Sequence, residues 1–237
     1  MQEKLHQILK ERFGYSSFRL QQLQIIESVI NGQDTLGIMP TGGGKSLCYQ
    51  VPALYLNGVT VVVSPLISLM HDQVMSLDEY GIPSCFLNSS LSYGARMQAR
   101  ERIPHGELTL VSVSPEGILS PQMSEFFRKI KVSLVAIDEA HCVSQWGHEF
   151  RKDYTRLAEL KVLFPGVPTL GLTATADERT REDICKQLDL HKPNICVSSF
   201  DRPIIKYLIL DRNDELKQLD DFIQAHHPQD TGIVYCL

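Results

Sequence analysis

The chain has 237 residues, 43% of them hydrophobic and 22% charged, the balance of an ordinary soluble globular protein with room for one large α/β domain or one domain plus part of another. Its net charge of −5 argues against a protein that clings to nucleic acid by bulk charge, though a local basic or aromatic groove stays open. A polar start at Met1–Lys4, no run of membrane-spanning length and six scattered cysteines without a C-x-x-C pair exclude a secretory leader, a membrane span, a disulfide framework and a zinc site as expectations, and place the chain in the cytoplasm.

Two helices are expected first. Gln2–Phe13 stops at Gly14. Arg19–Ile30 carries Leu23, Ile26 and Ile30 on one face and stops at Asn31-Gly32. Short apolar runs follow at Thr35–Met39, Val59–Val63, Leu108–Val113, Leu134–Ile137 and Thr169–Leu172, with a weaker one at Ser84–Leu87. Their β-branched residues are consecutive, which suits strands covered on both faces. Leu66, Leu69, Met70, Val74 and Leu77 recur at helical spacing between them, as do Leu157, Leu160 and Phe164, and later Ile184 and Leu188. Alternating strands and helices predict a mostly parallel sheet with helices on both faces. After Ser198 the pattern changes. Residues 199–203 read as a linker, Ile204–Leu210 as a strand, Asp214–His226 as a helix and Gly232–Cys236 as another strand. Two strands and one helix are too little for a core of their own, so 1–198 is expected to be one domain and 204–237 the incomplete start of a second.

Polar signatures follow the apolar runs, and in a parallel sheet they reach the same edge. The first is "MPTGGGKS": Met39, Pro40, Thr41, Gly42, Gly43, Gly44, Lys45 and Ser46. Glycines let the backbone curl its N–H groups onto phosphate oxygens, and the helix that follows adds partial positive charge. Lys45 would reach the β- and γ-phosphates of a nucleotide and Ser46 would hold Mg²⁺; Met39 stands where the strict pattern has glycine. The second is Asp138-Glu139, where the aspartate would bind Mg²⁺ and the glutamate would orient or deprotonate an attacking water. His141, Cys142 and His148 nearby lack a metal-ligand spacing.

"MPTGGGKS", "DEAH" and "LTATA" together resemble helicase superfamily 2, and more specifically the RecQ DNA helicases. The resemblance implies an α/β fold of the RecA-like P-loop kind, ATP and Mg²⁺ as cofactors, DNA as partner and, in a full-length form, 3′ to 5′ unwinding. "FGYSSFRLQQ", Phe13 to Gln22, is similar to that family's adenine-recognising motif, so Gln22 would read the adenine edge with Arg19 and Tyr15 packed on or near the base. "VVVSPLISLMHDQ" is similar to motif Ia, which implies a DNA-backbone approach at Ser64. "GLTATA" is similar to motif III, where Thr173 and Thr175 would link nucleotide state to DNA contact. "CVSQWGHEFR" resembles the aromatic-rich loop of RecQ proteins: Trp146 and Phe150 would stack single-stranded bases, Arg151 would contact phosphate, and Gln145 and His148 would relay DNA binding to the ATP site. The chain departs from the family's pattern at Gly117, Lys152 and Ile204. "TGIVYC" looks like the start of motif IV, and the second lobe such helicases use is not contained in these residues, so the chain is expected to bind Mg-ATP, hydrolyse it slowly and not unwind alone. The rival readings are a non-catalytic nucleotide- or DNA-binding module, a small-molecule P-loop kinase and an RNA helicase.

Overall fold

Each apolar run becomes a strand, and the strands are interleaved with helices. A computed structural model describes residues 1–88, 91–146, 150–199, 206, 208–211 and 213–235. It divides into two units, Met1–Phe200 and Asp201–Leu237. The first opens with α1 (Gln2–Phe13) and α2 (Gln22–Ile30), then β1 (Thr35–Ile38), α3 (Leu47–Tyr55), β2 (Val59–Val63), α4 (Ile67–Glu79) and β3 (Ser84–Leu87). It continues through α5 (Tyr93–Arg102), β4 (Leu110–Val113), α6 (Pro115–Ile118), α7 (Pro121–Phe127) and β5 (Val132–Ile137). Two short 3₁₀ turns, Ala140–Val143 and Lys152–Arg156, lead to α8 (Glu159–Leu163), β6 (Thr169–Thr173), α9 (Glu178–Gln187) and β7 (Asn194–Val197).

The seven strands form one sheet in the order β3-β4-β2-β5-β6-β1-β7, and every neighbouring pair is parallel. β1, β2, β4 and β6 are buried at every position. Helices cover both sheet faces, so successive side chains enter two different cores. Val61, Val63, Val113 and Ile137 pack on one side with Phe127 and Tyr154. Val62, Leu134, Ala136 and Leu172 pack on the other with α1, α2 and α3. Gly37 lets α2 lie close on β1: a Cβ there would stand 2.8 Å from Ile25 Cδ1 and 2.9 Å from Leu172 Cδ2. That approach brings the start of α2 beside the loop after β1.

Where the structure departs from expectation, the reasons are local. α1 ends at Gly14 (φ 74) as expected, but α2 begins at Gln22, not Arg19. Leu20 is left-handed (φ 50), and Gln22 Oε1 accepts the Arg19 N–H at 2.8 Å, which closes a turn ahead of the helix. β7 escaped the sequence reading because it is an edge strand with Ile195 45% exposed and no continuous apolar run. α5 escaped it because only Ala99 of its described side chains is buried. The described part of the second unit contains α10 (Glu215–His226), with no buried residue. Residues 208–210 and 232–235, expected as strands, have no strand structure, and Ile209 and Tyr235 are 93% and 91% exposed. A strand is defined by its ladder, and these exposed segments have none. Ile204, Ile205, Tyr207 and Cys236, and linker residues 200–203, lie outside the described residues. Among the described residues no helix is long and apolar enough to cross a membrane.

At the amino edge of the sheet a buried carboxylate ties three segments together. Asp34 Oδ1 accepts from Lys161 Nζ at 2.5 Å and from the Thr169 N–H at 2.8 Å, and Oδ2 accepts the His191 N–H at 2.8 Å. Asp34 is 6% exposed and Lys161 15%. Asp34→Ala would leave a nearly buried ammonium and two amides without their acceptor, so it is expected to lower stability by about 3 kcal/mol. Urea unfolding checks it: the midpoint should fall with an unchanged slope, and an unmoved midpoint would refute the assignment.

Candidate functional site

The parallel strands deliver their following loops to one edge. After β1 the chain turns through Pro40–Ser46, with Gly42 at φ 77 and Gly44 at φ 75. Only glycine enters this region without strain. The Gly43 N–H donates to Pro40 O at 2.9 Å, and the Leu47 and Cys48 N–H groups donate to Gly44 O and Lys45 O as α3 begins. The amino end of α3 therefore faces the loop, the setting that favours an anion. Met39 explains its own departure from the glycine pattern. Its side chain is fully buried, with its sulfur 3.7 Å from Cys48 Sγ, and only its backbone serves the loop. Lys45 Nζ donates to Met39 O at 3.5 Å, which folds the ammonium back across the loop. Thr41 and Gly42 are exposed; Pro40, Gly43, Lys45 and Ser46 are half-buried.

Gln22 lies against this loop from behind. It is 2% exposed, and its Nε2 donates to Gly43 O at 3.2 Å and Gly44 O at 3.0 Å. The amide expected to read a base edge is thus engaged by backbone at both ends, and reading a base requires it to leave the loop. A Cβ on Gly44 would stand 2.5 Å from that nitrogen, so the contact also demands glycine. Tyr15, Ser17 and Arg19 join Gln22 and Gly42–Gly44 around a cavity of about 90 Å³, with the Arg19 guanidinium 5.7 Å from the Tyr15 ring centre.

Two strands away, β5 ends at Asp138 and Glu139. Asp138 is 6% exposed. Its N–H donates to Val63 O at 2.8 Å, its Oδ1 accepts the Glu139 N–H at 3.0 Å, its Oδ2 accepts Gln73 Nε2 at 3.5 Å, and Tyr154 OH donates to its carbonyl at 3.2 Å. Burial, reinforced by neighbouring Glu139, pushes its carboxyl above the usual range. Glu139 adopts the left-handed region (φ 48), which turns its side chain toward His141, and its Oε2 lies 3.3 Å from His141 Nδ1. His141 holds the Glu139 carboxyl below its ordinary value. In turn the Cys142 sulfur and Glu139 raise His141 to about 10. Lys45 stabilises the ionised forms of both carboxylates, which places loop and acid pair in one electrostatic field.

β6 lies between β5 and β1 and wires them together. Thr173 O accepts the Met39 N–H at 3.0 Å, and Thr173 Oγ1 is 2.8 Å from His141 Nδ1. The same hydroxyl donates to Thr175 O at 3.2 Å. Thr173 is fully buried and Thr175 exposed, so the link runs from the phosphate-loop strand to the surface. His141 was set aside in the sequence as lacking ligand spacing. Its role as a bridge appears only when β6 is placed beside β5.

The 3₁₀ turn after the acid pair is largely buried through Ser144, and exposure begins at Gln145. Gln145 is exposed, Trp146 is 56% and Phe150 42% exposed, and His148 lies outside the described residues. Arg151 is half-buried, and its guanidinium donates to Pro65 O at 3.0 Å, joining this loop to the turn after β2. Ser64 corrects the sequence reading. Expected to meet a DNA backbone, it is fully buried with its hydroxyl enclosed and its N–H donating to Val113 O, so its side chain does not reach the surface. Leu66, Ile67 and Ser68 are the exposed residues that follow it. Ser144, Arg179 and Asp183 were not singled out in the sequence, yet all three hold the aromatic loop. Ser144 Oγ donates to Asp183 Oδ2 at 2.6 Å, and the Arg179 guanidinium lies 3.3 Å from the Trp146 ring centre.

The chemistry of Asp138 suits a divalent cation. Asp138 is a buried carboxylate whose ionised form is disfavoured by its surroundings, and an oxygen-seeking cation reverses that penalty.

The profile of the DEAD/DEAH box helicases matches residues 19–184. The chain is 47% identical over 229 residues to the ATP-dependent DNA helicase RecQ of Pasteurella multocida, covering 97% of this chain and 36% of that protein. It is also 47% identical to the RecQ helicase of Haemophilus influenzae, covering 97% of this chain and 37% of that protein. Among solved structures, the helicase MrfA bound to DNA shares the fold at a TM-score of 0.67 and 18% identity, over 83% of this chain and 29% of MrfA. The chain thus spans little more than a third of the length of the RecQ relatives it matches.

Proposed function

This chain belongs to the DEAD/DEAH box helicases, and from that premise we propose that it is the ATP-binding, RecA-like lobe of a RecQ-type ATP-dependent DNA helicase that unwinds 3′ to 5′ in the full-length form. The observation that carries the reading is the hydrogen-bonded path from Met39 through Thr173 and His141 to Glu139, which joins the phosphate loop to the acid pair on one sheet edge. In this reading the 39–46 backbone and Lys45 cradle the triphosphate, while Tyr15, Arg19 and Gln22 receive the adenine. Ser46 and Asp138 would hold Mg²⁺, which neutralises phosphate charge when bound. Glu139 would take the proton of the attacking water as the water oxygen bonds to the γ-phosphorus and the bond from that phosphorus to the β–γ bridging oxygen breaks, leaving ADP and inorganic phosphate. Trp146, Phe150 and Arg151 contact single-stranded DNA, with Gln145 and His148 in the same loop, and Thr173 and Thr175 couple that contact to the nucleotide.

These 237 residues are proposed to bind Mg-ATP and single-stranded DNA, to turn ATP over slowly, and not to unwind a duplex alone. The test is ATP binding and turnover with and without single-stranded DNA, beside a forked-duplex unwinding assay. DNA-stimulated turnover without unwinding is expected. ATP and DNA binding with no turnover would replace the enzyme reading with a non-catalytic binding module. Failure to bind Mg-ATP would end both.

A further inference from the structure

The helix after Thr175 grips the aromatic loop at two points one turn apart. α9 begins under an Asp177 cap, whose Oδ1 accepts the Thr180 N–H at 2.7 Å. Arg179 and Asp183 are four residues apart and share a helix face. The Arg179 guanidinium lies 3.3 Å from the Trp146 ring centre, a stacked contact. Asp183 Oδ2 accepts from Ser144 Oγ at 2.6 Å, and that same hydroxyl oxygen accepts the Trp146 N–H at 3.2 Å. Asp183 is itself fixed by Gln187, whose amide donates to Oδ1 at 3.2 Å. Ser144 is fully buried, yet Trp146 remains 56% exposed with one face covered. The indole is therefore backed by a cation, anchored through its own backbone N–H, and open on its other face.

We propose that Arg179 and Asp183 are positioning residues for Trp146, holding one indole face against the guanidinium and presenting the other as a platform for a single unpaired nucleobase. The proposal rests on the reading that this loop binds single-stranded DNA. A planar, weakly hydrated guanidinium stacks on an aromatic face without closing the opposite one. A base adds its own stacking on the free face. Holding the ring in advance removes part of the ordering cost of binding.

Trp146 is the only tryptophan, so its emission reports this ring alone. The experiment titrates an oligothymidylate into the whole chain, following Trp146 emission and, in parallel, the anisotropy of a labelled strand. Bound DNA should quench the wild-type emission. Arg179→Ala should make Trp146 more accessible to acrylamide before DNA is added and weaken DNA binding roughly three- to tenfold. Arg179→Lys keeps the charge but not the planar stack and should not restore either signal. Asp183→Ala supplies a test of opposite sign: removing a negative charge strengthens binding if bulk charge governs the loop, whereas loss of positioning weakens it. Wild-type affinity in Arg179→Lys, tighter binding in Arg179→Ala or tighter binding in Asp183→Ala would each overturn the proposal. DNA binding seen by anisotropy without Trp146 quenching would overturn it and leave the DNA-binding reading standing. No binding by anisotropy would remove that reading and this proposal together.

Discussion

Lys45→Ala is expected to weaken Mg-ATP binding on the order of 10²-fold, while leaving AMP binding unchanged. Lys45 is the one residue of the 39–46 loop that carries a full positive charge, and its ammonium already lies across that loop, 3.5 Å from Met39 O. A triphosphate entering the loop would take over that ammonium and give it charged partners in place of a single carbonyl. The mutation removes those charged hydrogen bonds and leaves the glycine turns at Gly42 and Gly44 in place. AMP lacks the β- and γ-phosphates that Lys45 would reach, so its affinity reports the base, ribose and α-phosphate contacts. Calorimetry with the two nucleotides separates the effects. The wild-type melting temperature should also rise with Mg-ATP and the variant's should not, because a ligand stabilises only through the state it binds. Equal loss of ATP and AMP affinity would mean a collapsed loop, and unchanged ATP affinity would remove Lys45 from the site.

Legibility in the sequence tracked how local each physical cause is. The interior strands could be read directly, since β1, β2 and β4–β6 are covered on both faces and show it as consecutive apolar residues. β7 could not, because an edge strand with Asn194 and exposed Ile195 lacks that signal. The phosphate loop was legible because glycine, lysine and serine in that order encode a backbone shape within eight residues. Gln22 and Ser64 were legible as motif members but not in orientation. Gln22 turns onto Gly43 and Gly44 because Gly37 lets α2 settle close to β1. Ser64 is enclosed at the end of a central strand flanked by β4 and β5. His141, Arg179 and Asp183 depend on which strand or helix arrives beside them, information that spacing along the chain does not carry.

Glu139→Gln is expected to slow ATP hydrolysis on the order of 10²–10⁴-fold with Mg-ATP binding retained. The amide keeps the shape of the side chain and its left-handed turn but cannot accept a proton from water. Glu139 is ionised at neutral pH, as a base must be, while His141, by holding its carboxyl below the ordinary value, weakens its basicity and ties its charge to the imidazole. The pairing also sets a pH signature. His141 is raised from 6.5 to about 10 by the Cys142 sulfur and by Glu139, so its favourable contribution is complete below about 6.5 and is lost as pH rises through about 10. Glu139 is depressed, so its contribution is present above the ordinary carboxylate value and is lost as pH falls through its lowered one. Removing the Glu139 charge withdraws one of the two groups that raise His141, so the alkaline loss of stability should begin at lower pH in Glu139→Gln than in the wild type. Single-turnover hydrolysis with enzyme in excess measures the chemical step, and thermal melts across pH measure the pair. A slow variant with an unmoved alkaline limb would keep Glu139 as the base and detach it from His141. A variant that hydrolyses at the wild-type rate would move the proton acceptor away from Glu139, and the neighbouring Asp138, buried and enclosed by Gln73 and Tyr154, would then have to serve water as well as the cation.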